Sequence, residues 1–150
     1  MEKRGFAVIG SYLGQGIELP RRKTGKSAGY DLEAAEDTEV KPGQSAIVST
    51  GLKAFMQPDE VLMLYIRSGL SVKHRIVLMN QVGVIDSDYY DNEENEGHIQ
   101  IAVLNLGNES FTVKKGMRIA QGVFTRYLTV DGDMAGQGME RKGGFGSTGL

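Results

Sequence analysis

The stretch "HIQIAVL" (98–104) decides the fold class, because its apolar side chains recur at every second position. Ile99, Ile101 and Val103 alternate with a glutamine and an alanine, which is the period of a strand with one buried face. Other short runs rich in β-branched and aromatic residues occur along the chain, and turn sequences with Gly, Pro or Asn separate them. These runs are "FAVI" (6–9), "SAIVST" (45–50), "VLMLYI" (61–66), "RIVLM" (75–79), "SFTV" (110–113) and "RIAQGVFTRYLTV" (118–130).

Many short strands joined by regular turns predict an all-β fold, a jelly-roll-like barrel in a single domain. No long segment keeps the helical period, and "RSGLSVKH" (67–74) is expected to make at best one helical turn. The chain of 150 residues is predicted to consist of a β-barrel at 1–130 and a flexible C-terminal arm at 131–150. The arm has too few large apolar side chains to fold on itself, so it is mobile or bound elsewhere.

Composition and charge exclude several classes of function. The formal net charge of −2 leaves no basic field for a nucleic-acid backbone, so nucleic-acid binding is not expected. The absence of cysteine excludes disulfides, thiolate metal sites and cysteine nucleophiles. The two histidines, His74 and His98, lie in no zinc or triad pattern and are expected at the surface or in turns. With no signal peptide and no membrane-spanning apolar run, a cytoplasmic protein is expected.

A first candidate site is "RSGLSVK" (67–73), which follows the apolar run "VLMLYI". A guanidinium, a hydroxyl and a glycine at the end of a buried strand can present charge, an Oγ and free backbone N–H groups together. That combination suits phosphate oxygens. An ordinary strand exit with an exposed arginine is the alternative, and this segment alone does not decide between them.

A second candidate is "NQVGVIDSDYYD" (80–91), where Asp86 and Asp88 would face one side of a strand. Asp86 follows an apolar run, and partial burial there could tune its carboxylate as a general base. The same residues also fit a turn, since aspartates favour turns, and Tyr89 could stack on a ring or cover the core. The acidic segment "YYDNEENEG" (89–97) is expected to form a solvated hairpin tip.

Two further segments carry weaker signals. Gln121 lies in the apolar run "RIAQGVF" (118–124) and would need a hydrogen-bond partner if buried. The arm contains "GGFGSTG" (143–149), which has the composition of a phosphate loop without the lysine and helix that such a loop requires.

Taken in order, five segments of the chain resemble the five motifs of the homotrimeric dUTPases (dUTP pyrophosphatases). The segments between them, such as "KPGQSAIVSTGL" (41–52), are similar as well, so the resemblance covers nearly the whole chain. Any one motif would be a weak signal, whereas five in register are a strong one. The five segments are "SAGYDLEA" (27–34), "RSGLSVK" (67–73), "NQVGVIDSDY" (80–89), "RIAQGVF" (118–124) and "GGFGSTG" (143–149).

The resemblance implies a jelly-roll-like barrel that assembles as a homotrimer, with active sites built from parts of all three chains. It implies hydrolysis of dUTP to dUMP and pyrophosphate with Mg²⁺, a reaction that keeps uracil out of DNA and supplies dUMP for thymidylate synthesis. Asp86 would be the general base that activates water for attack on the α-phosphorus. Mg²⁺ would be held by the triphosphate and waters, with no direct protein ligand.

The resemblance also assigns roles to individual residues. Asn80 would bind the uracil edge, Tyr89 would pack beneath the deoxyribose and exclude a 2′-hydroxyl, and Phe145 would stack on uracil. Asp31 would support the phosphate and metal-water network from behind, and Gln121 would bind phosphate or the attacking water. The full set implied to contact substrate is Arg67, Ser68, Gly69, Asn80, Gly83, Val84, Tyr89, Gln121, Arg141, Phe145, Gly146, Ser147 and Thr148.

The sequence departs from the family pattern in two places. Between Tyr89 and Gly97 it has the seven residues "YDNEENE" (90–96) where the family usually has one, and the added residues are expected to lengthen a solvent-facing loop. The arm has Glu140 where the family usually has arginine, so either Arg141 or Lys142 would reach the γ-phosphate together with the Ser147 and Thr148 hydroxyls.

Two alternatives belong to other classes. A dCTP deaminase shares the fold, but the segment "GVIDSDY" (83–89) and the phenylalanine-bearing arm favour a dUTPase. A protein-binding module would use the loop at 90–96 as its contact surface, and such a partner is compatible with catalysis.

Overall fold

The computed structural model of the chain describes residues 1–136 and 139–149. Its regular structure is mostly strand, with one α-helix and two 3₁₀ turns, at Gly10–Tyr12 and Ser87–Tyr89. The elements are β1 (Gly5–Val8), β2 (Arg21–Arg22), β3 (Tyr30–Glu33), β4 (Thr38–Val40), β5 (Ser45–Ser49), β6 (Leu52–Phe55), β7 (Glu60–Ile66), α1 (Ser68–His74), β8 (Ile76–Leu78), β9 (Gly83–Asp86), β10 (Gln100–Asn105), β11 (Phe111–Val113) and β12 (Arg118–Arg126).

The strands form small antiparallel sheets that surround one core. The largest sheet has the order β2-β3-β12-β7-β9, and a second has the order β5-β10-β8. Two pairs, β1 with β6 and β4 with β11, complete the barrel. Most neighbours in these sheets are distant in sequence, which is typical of a jelly roll. The predicted all-β, jelly-roll-like class is confirmed.

The opening stretch forms β10, in the middle of its sheet. Residues Ile101, Val103 and Asn105 are buried and their neighbours are half-buried, as the period of two predicts. The strand pairs with β5 through Ile101 opposite Val48, and with β8 through Val103 opposite Leu78. Because it is hydrogen-bonded on both edges and buried on one face, its register is strongly specified.

One apolar cluster fills the barrel and draws on almost every strand. Leu32, Val48, Leu62, Ile101 and Ile119 are among its fully buried members. Full burial of such a side chain is worth about 1.5–3 kcal/mol, so this cluster is the main source of stability.

The segment after β7 differs from its prediction. Instead of at most one turn, Ser68–His74 forms a seven-residue helix that ends at Arg75 in the left-handed conformation, at φ 55°. Its one buried residue, Leu70, packs on the core. This tertiary contact, together with the packing of the His74 ring against Phe111, stabilises a helix whose sequence shows no amphipathic repeat.

No helix within the described ranges 1–136 and 139–149 is long and apolar enough to cross a membrane.

A buried asparagine joins three parts of the barrel. The fully buried side chain of Asn105 donates hydrogen bonds to the carbonyls of Val40 and Glu109, each at 2.8 Å, and accepts one from the Gly107 N–H at 2.8 Å. It therefore connects β10 to the end of β4 and to the turn that leads into β11.

We expect Asn105→Ala to lower the free energy of unfolding by about 2–4 kcal/mol, because it leaves buried carbonyls without donors. The exposed Asn108 provides a matched control, and Asn108→Ala should change stability by less than about 0.5 kcal/mol. Urea unfolding at one fixed protein concentration measures both effects. Equal midpoints for the two variants would contradict the structural role of Asn105.

Candidate active site

A cavity of about 260 Å³ opens between β9, β10 and the C-terminal arm. Its floor is apolar and includes Leu64, Leu78 and Ile101. Polar groups lie around this floor, which is the usual composition of a small-molecule site. Seven of the residues predicted to contact substrate or water line it: Asn80, Gly83, Val84, Asp86, Tyr89, Arg141 and Phe145.

Strand β9 forms one wall and requires glycine where it begins. Gly83 is opposite Leu64 of β7, and a Cβ at Gly83 would lie only 2.9 Å from the Leu64 Cβ. Asn80 lies in the preceding turn, where Gln81 has the left-handed φ of 64° and the Val82 N–H donates to the Asn80 carbonyl at 2.7 Å. This tight turn presents the exposed Asn80 amide at the cavity edge.

Two aspartates, one at the end of β9 and one in the turn that follows it, contact one guanidinium. The Arg141 Nη2 lies 2.5 Å from an Asp86 oxygen, and its Nε lies 2.7 Å from an Asp88 oxygen. The carboxylates converge although a 3₁₀ turn, and not a continuing strand, follows Asp86. The Arg141 side chain is largely covered, whereas both aspartates are about half exposed or more. The arm therefore lies over the predicted general base.

Tyr89 is buried beside these aspartates and is held at both ends. Its hydroxyl donates to the His98 carbonyl at 2.7 Å and accepts from the Asn95 side-chain amide at 2.8 Å. Burial is the main reason that the pKa of the Tyr89 hydroxyl is raised. The ring therefore stays neutral and forms a rigid wall of the cavity.

The arm packs against this wall through its glycines. A Cβ at Gly144 would lie 3.1 Å from the Tyr89 ring, and Lys142 accepts a backbone hydrogen bond from the Glu94 N–H at 2.9 Å. Phe145 lies at the cavity mouth and is 67% exposed. Beyond it, the Ser147 hydroxyl donates to the Gly143 carbonyl at 2.6 Å, while Gly146 and Thr148 are exposed.

The other predicted residues form a second cluster at the far end of β7. The Asp31 carboxylate lies between two arginines, 3.8 Å from the Arg67 Nε and 3.2 Å from the Arg118 Nη1. Gln121 pairs with Asp31 across β12 and β3, and its side chain packs over Gly29. Ser68 and Gly69 follow directly as the first residues of α1.

These two clusters are far apart within one chain. Asp86 is opposite Val61 in the β7–β9 pair, and Arg67 lies six residues further along β7. At about 3.3 Å per residue, the separation along the strand is roughly 20 Å. None of Asp31, Arg67, Ser68, Gly69 and Gln121 lines the cavity. One chain thus brings the residues predicted to bind uracil and to activate water into one cavity. The residues predicted to bind the phosphates lie in the second cluster, outside that cavity.

The acidic segment 89–97 is not the solvated tip that its charge predicts. Asp91 and Glu96 both pair with Lys53, at 2.5 and 2.7 Å, and the Lys53 residue is only 9% exposed. Asn92 is buried as well, whereas Asp91, Glu93 and Glu94 are exposed as expected. The prediction was wrong because the sequence does not reveal that a buried cation lies below the segment.

His98 also differs from its prediction, since it is buried and only 8% exposed. Its Nε2 accepts a hydrogen bond from the Gly51 N–H at 3.0 Å, and its ring packs against Tyr12. His74 is exposed, as expected. In the described part of the chain, no three His, Cys, Asp or Glu side chains are grouped so that they could hold a metal ion.

Sequence reasoning did not identify Lys53, Asn92 and Asn95 as parts of the site. The spacing of the two asparagines is a weak signal, because asparagine side chains often bond to backbone groups two or three residues on. Because many loops contain asparagines at this spacing, the spacing does not indicate that the turn holds another side chain.

Comparison with known proteins identifies the family. The dUTPase family profile matches residues 15–149. A deoxyuridine 5′-triphosphate nucleotidohydrolase of Lactococcus lactis subsp. lactis is 50% identical over 149 residues, covering 99% of each chain. Another from Hahella chejuensis is 42% identical over 151 residues, covering 95% of this chain and 93% of its own. A crystal structure of dUTPase from Streptococcus mutans superposes with a TM-score of 0.81 at 46% identity, covering 85% of this chain and 99% of that one.

The chain therefore belongs to the dUTPase family. It is a nucleotide hydrolase of the dUTP diphosphatase class, and family membership identifies the reaction as hydrolysis of dUTP to dUMP. The sequence-based assignment to this family is confirmed, and the deaminase alternative is not supported.

We expect a pH-dependent stability that originates at His98. Burial lowers the pKa of its imidazole below the ordinary value of 6.5, so protonation costs the folded state more than the unfolded state. The stabilisation is complete above pH 6.5 and is lost as the pH falls through the folded-state pKa.

Thermal unfolding between pH 7.5 and about pH 5 measures this effect. His98→Gln keeps an acceptor near the Nε2 position without titrating, so its melting temperature should fall less with pH than that of the wild type. His74→Gln is the matched control and should retain the wild-type pH dependence. Parallel profiles for wild type and His98→Gln would contradict the prediction.

Proposed function

We propose that the chain hydrolyses dUTP to dUMP and pyrophosphate by attack of an Asp86-activated water on the α-phosphorus, with Mg²⁺ on the triphosphate. The observation that carries the proposal is the position of Asp86 at the polar edge of an apolar cavity beside Asn80 and Tyr89. The cavity lies just below the usual size range of about 300–1,000 Å³ for ligand sites, which suits a nucleoside with its phosphates directed outward.

Uracil binds between β9 and the arm in this proposal. The Asn80 amide, together with backbone groups of Gly83 and Val84, hydrogen-bonds the edge of the base. Because β9 approaches β7 so closely at Gly83, the pocket has no spare room, and an added methyl group on the base meets the wall. Phe145, held at the cavity mouth between glycines, stacks on the uracil ring.

Tyr89 discriminates against ribonucleotides by contact. Its ring is buried and its hydroxyl is bonded twice, so it cannot move aside for a 2′-hydroxyl. A fixed wall rejects an added group by overlap, which discriminates more strongly than a weaker attraction would.

Asp86 removes a proton from the attacking water, and Arg141 regulates access to this carboxylate. The guanidinium pairs with both Asp86 and Asp88. Because both carboxylates are about half exposed or more, these ion pairs are worth about 0–1 kcal/mol each, and a triphosphate can attract the arginine. Arg141, with Lys142 as the competing cation, then binds the γ-phosphate together with Gly146 and the hydroxyls of Ser147 and Thr148. The departure of Arg141 frees Asp86 for the water.

The residues fit a magnesium ion that is carried by the substrate. Mg²⁺ keeps several waters and is usually bound by substrate phosphates with few protein ligands. When bound, the ion neutralises charge on the phosphates. Asp31 acts indirectly, since it holds Arg67 in position for the phosphate oxygens.

The separation within one chain supports a homotrimer with shared sites. A triphosphate beside Asp86 cannot reach Arg67 of the same chain across roughly 20 Å, so the phosphate-side cluster must come from another subunit. A Cβ at Gly69 would meet no atom of its own chain within 4 Å, which leaves its backbone open to an incoming phosphate. Arg67, Ser68, Gly69 and Gln121 of one subunit therefore complete the cavity of another.

The arm at 131–150 closes over the filled site as a segment distinct from the barrel at 1–130. We place the enzyme in the cytoplasm, where its nucleotide substrate occurs. Binding of a protein partner at 90–96 remains a prediction.

The function is tested by pyrophosphate release from dUTP, dTTP, dCTP and UTP, with Mg²⁺ and with excess chelator. We expect hydrolysis of dUTP alone, and loss of turnover when Mg²⁺ is removed. Asp86→Asn should bind dUTP normally but lose about three or more orders of magnitude in kcat, because an essential base is missing. The exposed Asp59 supplies the control, since Asp59→Asn should keep wild-type turnover. Turnover by Asp86→Asn at the wild-type rate would refute its assigned role.

Shared sites are tested by mixing two inactive variants. Arg67→Ala and Asp86→Asn damage different halves of the site, so a mixed trimer contains some sites with both halves intact. Random mixing in equal amounts should restore about a quarter of wild-type activity. Each variant refolded alone should stay inactive. No recovery in a trimer proven to be mixed would show that each site is built from one chain.

A further inference from the structure

The segment 90–96, called the insertion below, is hydrogen-bonded to both ends of Tyr89. The Asn95 side-chain amide donates to the Tyr89 hydroxyl at 2.8 Å, and the Asn92 amide donates to the Tyr89 backbone carbonyl at 2.7 Å. The phenol and the main chain of one residue are thus held by two asparagines from the same short loop.

The two asparagines also hold each other. The Asn92 Nδ2 donates to the Asn95 Oδ1 at 2.8 Å, and that oxygen also accepts from the Gly97 N–H at 3.1 Å. The Asn92 Oδ1 accepts from the N–H groups of Glu94 and Asn95, at 3.0 and 3.1 Å. Side-chain bonds of this kind fix a loop as firmly as backbone bonds do, and here they leave Asn95 a single orientation.

The barrel anchors the insertion near both of its ends. Lys53 of β6 pairs with Asp91 and Glu96, and the Glu96 carboxylate also accepts from the Gly10 N–H at 2.9 Å. Gly97, with a φ of 84°, passes so close that a Cβ there would lie 2.7 Å from the Tyr89 carbonyl oxygen. A loop bonded in this way to β6 and to the 3₁₀ turn at Gly10–Tyr12 cannot act as a solvated flap.

The network leaves the Tyr89 ring one position. Its hydroxyl accepts from Asn95 and donates to the His98 carbonyl, so rotation or sliding of the ring breaks at least one bond. The remaining surface of the ring faces the cavity and the Gly144 backbone. Discrimination by contact requires a rigid wall, because a small displacement of the ring would admit an extra hydroxyl on the sugar.

We propose that Asn95, supported by Asn92, is a specificity-determining positioning residue that fixes the Tyr89 ring against the 2′ position of the substrate sugar. The inference rests on the proposed contact of Tyr89 with the deoxyribose. It gives the insertion a role in the selection of the substrate.

The test compares kcat/KM for dUTP with kcat/KM for UTP. Asn95→Asp keeps the Oδ1 acceptor and nearly the same shape but loses the donor to the Tyr89 hydroxyl. We expect it to lower the dUTP-to-UTP ratio roughly three- to tenfold, mainly through faster UTP hydrolysis, in line with the loss of one hydrogen bond. The exposed Asn108 carries the matched control, and Asn108→Asp should leave the ratio unchanged. A ratio for Asn95→Asp within about twofold of wild type overturns the inference.

A double-mutant cycle separates positioning from general destabilisation. Tyr89→Phe removes the hydroxyl through which Asn95 acts, so adding Asn95→Asp to it should not lower the ratio further. A full additional effect in the Tyr89→Phe background would overturn the inference. Asn95→Ser serves as a second variant if Asn95→Asp does not fold, and the same ratio is expected to fall.

Tyr89→Ala distinguishes failure of this inference from failure of the proposed function. If Tyr89→Ala relaxes discrimination and the Asn95 variants do not, only the positioning role is lost. If Tyr89→Ala leaves the dUTP-to-UTP ratio unchanged, both the contact of Tyr89 with the sugar and the positioning role of Asn95 are refuted.

Discussion

Strand β7 pairs with β12 on one edge and with β9 on the other, and this pairing positions both halves of the candidate site. The β9 register places Asp86 opposite Val61, near the beginning of β7. The end of β7 leads directly into Arg67 and α1. Since a strand is nearly inextensible, the two halves are held apart at a fixed distance. In the proposed mechanism a single subunit would therefore hold only one half of each site, and catalysis would require assembly.

The wall of the cavity is held more firmly than the arm that covers it. The wall formed by β9 and Tyr89 is held by close backbone packing at Gly83 and by the bonds of the insertion. The arm is attached by partly exposed ion pairs and a backbone hydrogen bond to Glu94. In the proposed mechanism, strong fixation suits the surface that would select the sugar, and weak fixation suits the segment that would open and close during turnover.

The two halves of the candidate site also differ in charge. Two aspartates at the cavity edge would repel a triphosphate if they were left uncompensated, and Arg141 neutralises part of that charge. In the second cluster a single carboxylate, that of Asp31, lies between two arginines, so this cluster has a net positive charge. Phosphates are thus attracted to the cluster that a neighbouring subunit would supply.

The sequence by itself determined the fold class, the family and the residue types of the site. The alternation in "HIQIAVL" and the dense turns depend on local chemistry, and they predicted β10 and the barrel correctly. The family motifs identified Asp86, Asn80 and Tyr89, which the fold then brings to one cavity. Tertiary structure alone decided the two-turn helix after β7, the burial of His98 and the internal bonding of the insertion. These features depend on contacts such as Leu70 with the core and Lys53 with Glu96, whose partners lie far apart in sequence and leave no local pattern.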